Sequence, residues 1–132
     1  MTTELHLLGW TLVLAIVQIL LPSQFRNKET GTAYNTGPRD DPGPPVGVIT
    51  GRLQRAQKNL FETLPIFAAA ILIAHMAGRD GALTLCGAWL YFIGRVVYVP
   101  LYTAGISYVR SAVWVVSLLG LILVLIADLR PF

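Results

Sequence analysis

The chain has 132 residues, room for one domain rather than two. Hydrophobic residues make up 55% of it and charged residues 13%, where a soluble domain carries about 25% charged. That excludes an ordinary soluble fold, and a net charge of only +3 is better read as a membrane-topology signal than as a nucleic-acid surface. Cys86 is the single cysteine, so an intrachain disulfide and a CxxC metal or redox motif are both ruled out.

Residues 5–22 form the first predicted span, charge-free up to Pro22 and extendable to Phe25. No basic segment precedes this run, which favours a retained span over a cleaved signal peptide. Its polar members are His6 and Gln18, and Gln18 is expected to hydrogen-bond a neighbouring helix. Residues 23–50 then change character: Gly31, Gly37, Gly43 and Gly47 mix with Pro38, Pro42, Pro44 and Pro45 and with charges of both signs. Neither helix nor strand periodicity survives there, which predicts a long polar loop. Arg39, Asp40 and Asp41 read as solvated surface, with Tyr34 and Asn35 as candidates to fold over a site mouth.

Between residues 51 and 77 a charged helix becomes an apolar one without a break. Arg52, Arg55, Asn59 and Glu62 are spaced three, four and three, which places them within an arc of roughly 80°. Pro65 predicts a kink around residues 61–63. After a tight turn at residues 78–81, the third span covers 82–104 and carries Arg95 in its interior. Tyr91, Arg95, Tyr98 and Tyr102 share one face of it, and Pro100 interrupts it near its end. The fourth span is 111–128. The expected fold is all-α: a single domain over 1–132 built as a four-transmembrane-helix bundle.

Lys and Arg placement sets the expected orientation. Arg26, Lys28, Arg39, Arg52, Arg55, Lys58 and Arg110 fall at one end of the bundle, and Arg79 and Arg130 at the other. Seven against two puts the long loop in the cytoplasm and both termini outside, as expected of a multi-pass protein of the cell inner membrane. Two polar faces then meet at one depth. Arg52, Arg55, Lys58, Asn59 and Glu62 come from the second helix, Arg95, Tyr98 and Tyr102 from the third, with Arg110 and Ser111 at the start of the fourth. A Glu62–Arg95 pair alone would be a device for fixing helix register. Five cations against one carboxylate leave a surplus that favours an anion site, and guanidinium groups take carboxylates in bidentate fashion. A small peptide with two carboxylates and one amine fits both signs of charge.

The run Arg55-Ala56-Gln57-Lys58-Asn59-Leu60-Phe61-Glu62-Thr63-Leu64-Pro65 resembles the RAxxNxxExxP signature of the MAPEG superfamily, the membrane-associated proteins in eicosanoid and glutathione metabolism. Gly94-Arg95-Val96-Val97-Tyr98, Tyr102 and the Arg110-Ser111 pair resemble its second motif region, and the chain looks most like a bacterial-type microsomal glutathione transferase. The resemblance implies a homotrimer with glutathione between subunits. It implies that Arg52, Arg55, Lys58, Asn59, Glu62, Arg95, Tyr98 and Tyr102 form the glutathione grip, with Lys58 where an arginine is frequent. Arg110 and Ser111 become the catalytic residues at the thiol, activating it toward a hydrophobic electrophile or lipid hydroperoxide. One departure is Gln18 in the first span, where several members carry an arginine; Arg26 lies beyond Pro22. The competing expectation is a non-catalytic MAPEG-like membrane subunit or lipid-binding protein. A weaker one is a metal held by His6, His75 and Cys86, whose spacing matches no ligand pattern.

Overall fold

The computed structural model describes residues 1–41 and 43–131; Pro42, one of the loop prolines, lies outside the described residues, as does Phe132. Four helices are each long and apolar enough to cross a membrane: α1 (Thr3–Thr30), α3 (Val48–Met76), α4 (Ala82–Thr103) and α5 (Ser107–Leu129). A five-residue helix, α2 (Thr32–Thr36), lies between the first two of them. Both termini and the turn after α3 fall at one end of the bundle. The α1–α3 connection and the α4–α5 turn fall at the other, called the polar end here.

α1 begins at a Thr2 cap whose hydroxyl accepts from the Leu5 amide at 3.3 Å, and it does not stop at Pro22. It runs 28 residues, about 42 Å at 1.5 Å per residue, longer than the roughly 30 Å hydrocarbon core. The polar loop expected from residue 23 therefore starts at Gly31, where φ reaches +86° and the amide closes on the Asn27 carbonyl at 2.9 Å. A proline removes one amide donor, and good helix formers on both sides of Pro22 carry the helix past that loss. Arg26 and Glu29, 2.8 Å apart, add an i,i+3 ion pair within the extension. The same two side chains hold the returning chain. Arg26 donates to the Pro44 carbonyl at 2.7 Å, while Glu29 accepts from the Gly47 amide at 3.1 Å and the Thr50 hydroxyl at 2.5 Å.

α3 continues unbroken through Pro65, and α4 likewise continues through Pro100 to Thr103. α5 starts at Ser107 rather than 111, so Arg110 and Ser111, expected in and just after the connection, belong to its opening turns. Gly105, at φ +77°, reverses the chain in the left-handed region, and nothing in the four residues after Ile106 opposes a helix.

Inside a bilayer the helices gain little by hiding apolar side chains from lipid, so close packing and hydrogen bonds must hold them together. α4 and α5 approach through small residues. A Cβ built on Gly87 would collide with the Gly120 carbonyl, one on Gly120 would lie 2.7 Å from the Tyr91 amide nitrogen, and one on Gly94 would lie 2.9 Å from the Ser117 Cβ. Phe67 of α3 stacks on Tyr91 of α4 with centroids 4.0 Å apart, beside fully buried Leu60, Ile71 and Val124. Away from the polar end, buried Glu4 of α1 accepts from the Thr84 hydroxyl of α4 at 2.9 Å. The outer surface is apolar: Ile16, Leu20, Leu72, Ile73, Ile122 and Ile126 are all exposed, as a lipid-facing shell requires.

Candidate functional site

A cavity of about 610 Å³ opens at the polar end between α3, α4 and α5. α3 contributes Arg55, Lys58, Asn59 and Glu62; α4 contributes Tyr98 and Tyr102; α5 contributes Arg110, Ser111, Trp114 and Val115. The α3 residues share a helix face because they recur at intervals of three and four. Arg110 joins them because α5 begins early enough to make it helical and to turn it inward.

Tyr102 organises the cations. Arg55 Nε donates to its hydroxyl at 3.0 Å, and the Arg110 guanidinium lies over its ring 4.5 Å from the centroid. Tyr98 meets Tyr102 edge-on at 5.6 Å, and Arg95 lies over the Tyr98 ring at 4.5 Å. The Tyr102 face thus holds the Arg110 guanidinium in place while leaving its N–H edge available for an anion. Tyr91, on the same face of α4, does not reach the cavity: it donates to or accepts from the Thr63 hydroxyl at 2.8 Å within the core.

Arg95 is 1% exposed and stands behind the cavity wall rather than on it. It donates to Asn59 Oδ1 at 2.8 Å, and its Nε and Nη2 have no hydrogen-bond partner among the described residues. The Glu62–Arg95 register pair considered for the sequence is therefore not made. Glu62 is exposed and forms no ion pair among the described residues. Arg52, on the same stripe, also lies off the cavity. It donates to the Thr103 carbonyl at 3.1 Å, a cation at the last turn of α4. A Cβ on Gly105 would sit 2.9 Å from its guanidinium carbon, so Arg52 braces the α4–α5 turn.

Other candidates fall elsewhere. Tyr34 donates to the Asp41 carbonyl at 2.5 Å, and Asn35 bonds Asn27 and Thr30. Asn35 lines a separate cavity of about 210 Å³ with Arg26, Arg39, Gln54 and Gln57, on a different face of α3. Neither residue covers the main cavity. Gln18 is buried as a helix-contact residue should be, yet its Oε1 has no partner among the described residues. His6 Nδ1 lies 3.1 Å from the Thr2 carbonyl and His75 pairs with Asp80 at 3.2 Å. Cys86 lines an apolar groove of about 360 Å³ between α4 and α5. Among the described residues no three His, Cys, Asp or Glu side chains are grouped to hold a metal.

Trp114 and Val115 were not singled out in the sequence. The available signal was their spacing: Trp114 lies four residues after Arg110 and Val115 four after Ser111, and four residues along one helix return to nearly the same face. They give the cavity an apolar wall beside its charged one.

The sequence model of the MAPEG family matches residues 7–129. No curated protein matches the chain, and no solved structure does. With four membrane-length helices and a family match over nearly its whole length, the chain belongs to the MAPEG family.

Proposed function

We propose that the protein is a glutathione-dependent membrane enzyme that joins the glutathione sulfur to a hydrophobic electrophile, or uses it to reduce a lipid hydroperoxide. The observation that carries this reading is the charge balance of the cavity: Arg55, Lys58 and Arg110 face it together with one carboxylate, Glu62, that makes no ion pair among the described residues. Glutathione carries two carboxylates and one ammonium group. Arg55 and Lys58 take the carboxylates, Arg55 in bidentate geometry, and Glu62 takes the ammonium. Asn59 is committed to Arg95 through its carbonyl oxygen and keeps its amide donors for the ligand.

Glutathione supplies the nucleophile, a thiol that is mostly protonated at neutral pH. The residues supply what activates it. Arg110, fixed over Tyr102, places a permanent positive charge near the sulfur and favours the thiolate; the Ser111 hydroxyl beside it donates to the Ser107 carbonyl at 3.2 Å and turns from it to donate to the sulfur when glutathione binds. In this reading the protein works as a homotrimer, with the polar end and its loop in the cytoplasm of a cell whose inner membrane holds it.

Titrating purified protein with glutathione while following thiolate absorbance near the ultraviolet edge tests the proposal. Saturable binding with thiolate formation is expected, and Arg110→Ala should abolish the absorbance and lower turnover by about 10²-fold or more. A flat titration would sink the enzyme reading and leave the non-catalytic membrane subunit.

A further inference from the structure

We propose that Trp114 is a specificity-determining residue. Its indole forms the wall against which the second substrate lies, and it selects planar, conjugated electrophiles over saturated ones. This rests on the glutathione reading of the cavity and adds to it the residue that chooses the acceptor.

Along α5 the cavity lining passes from Arg110 and Ser111 to Trp114 and Val115. A charged turn is followed, one turn deeper into the apolar layer, by an aromatic and an aliphatic side chain. A hydrophobic molecule arriving from the bilayer meets Trp114 before it meets Arg110. The two residues are four apart on one helix, a rise of about 6 Å, so a ring packed on the indole lies about one helical turn from the guanidinium. An indole face discriminates by shape. Offset stacking rewards a flat π system and gives a flexible alkyl chain only its buried area.

The backbone that carries the indole is held. Ser117, 2% exposed, donates to the Trp114 carbonyl at 2.7 Å and packs onto α4 at Gly94. The α5 backbone at Trp114 is thereby fixed against α4. Trp10 and Trp89, the other two tryptophans, are 59% and 45% exposed and line apolar grooves on the outer surface. Trp114 is half-buried and lines the charged cavity instead.

With an activated aryl chloride the step balances as a substitution. The thiol proton passes to solvent, the sulfur lone pair forms the carbon–sulfur bond, and chloride leaves with the electron pair of the broken bond.

Two measurements test the proposal. The first compares kcat/KM for a dinitrophenyl chloride with that for an alkyl hydroperoxide of similar hydrophobicity, in wild type, Trp114→Leu and Trp114→Phe. Trp114→Leu should lower the aryl-to-alkyl ratio about three- to tenfold with glutathione affinity unchanged, and Trp114→Phe should keep most of it. Equal losses on both substrates, or no change in the ratio, overturn the proposal. The second uses Trp10→Phe/Trp89→Phe protein, in which Trp114 is the remaining indole, and titrates it with an unreactive dinitrophenyl thioether. Saturable quenching is expected; quenching that rises linearly with probe means collision in the membrane and overturns the proposal even if Trp114→Leu fails to fold. Saturable quenching beside a flat glutathione titration would remove the enzyme reading and keep the aromatic wall.

Discussion

The residue with most at stake is Arg95. A guanidinium within a span is expensive to bury, and among the described residues this one has a single hydrogen-bonding side chain, Asn59, plus the face of Tyr98. Asn59→Ala should therefore act twice. Thermal stability in detergent should fall by about 1–3 kcal/mol, because Arg95 loses its one acceptor, and glutathione affinity should fall with it. Lys58→Ala should behave differently: the ammonium is exposed and makes no ion pair among the described residues. Its removal should leave the melting temperature within a degree or two while weakening glutathione binding by about tenfold or less, a loss that added salt masks. The charge types at this site were legible in the sequence because three-and-four spacing survives folding unchanged. The division of labour was not. Arg52, Arg55 and Arg95 look alike as residues on a stripe, and only the positions of Thr103, Tyr102 and Asn59 separate a turn brace, a cavity wall and a buried support.

At the scale of elements the α4–α5 seam is the most demanding contact. The nearest atom facing each of Gly87 and Gly120 is the other's carbonyl oxygen, backbone that cannot rotate out of the way. Gly120→Ala should lower stability clearly, by roughly 1–3 kcal/mol in a detergent melt. Gly9→Ala, at an α1 position with nothing near the added carbon, should be neutral or slightly stabilising. If both substitutions had the same effect, the close approach of the seam would be refuted. The four spans were readable from hydropathy: the first and fourth are long runs without charge, the second becomes one after Glu62, and the third is interrupted by Arg95 alone. Two helix ends were not: α1 passes Pro22 and α5 starts at Ser107, whereas α4 ends at Thr103, within one residue of the expected boundary. Proline removes one donor but does not end a helix whose flanking residues favour it, and composition cannot weigh those two effects against each other.

For the whole molecule, the α1–α3 connection is tied down at its ends by Arg26 and Glu29 and leaves the main cavity uncovered. Arg26→Ala should raise the rate of limited proteolysis within residues 31–47, with the four spans remaining protected. Gly/Pro content announced a connection without long regular structure, but the clamp joins side chains to carbonyls eighteen and nineteen residues away, a separation no local pattern encodes.

The change of lining along α5, from guanidinium to indole within one turn, bears on traffic as well as chemistry. Under the proposed reaction an oil-soluble molecule enters and a salt with several ionised groups comes out. The first partitions into hydrocarbon and the second is repelled by it. A cavity placed across that boundary lets each species leave by the phase that accepts it, so the membrane itself separates reactant from product and discourages the product from returning along the entry path.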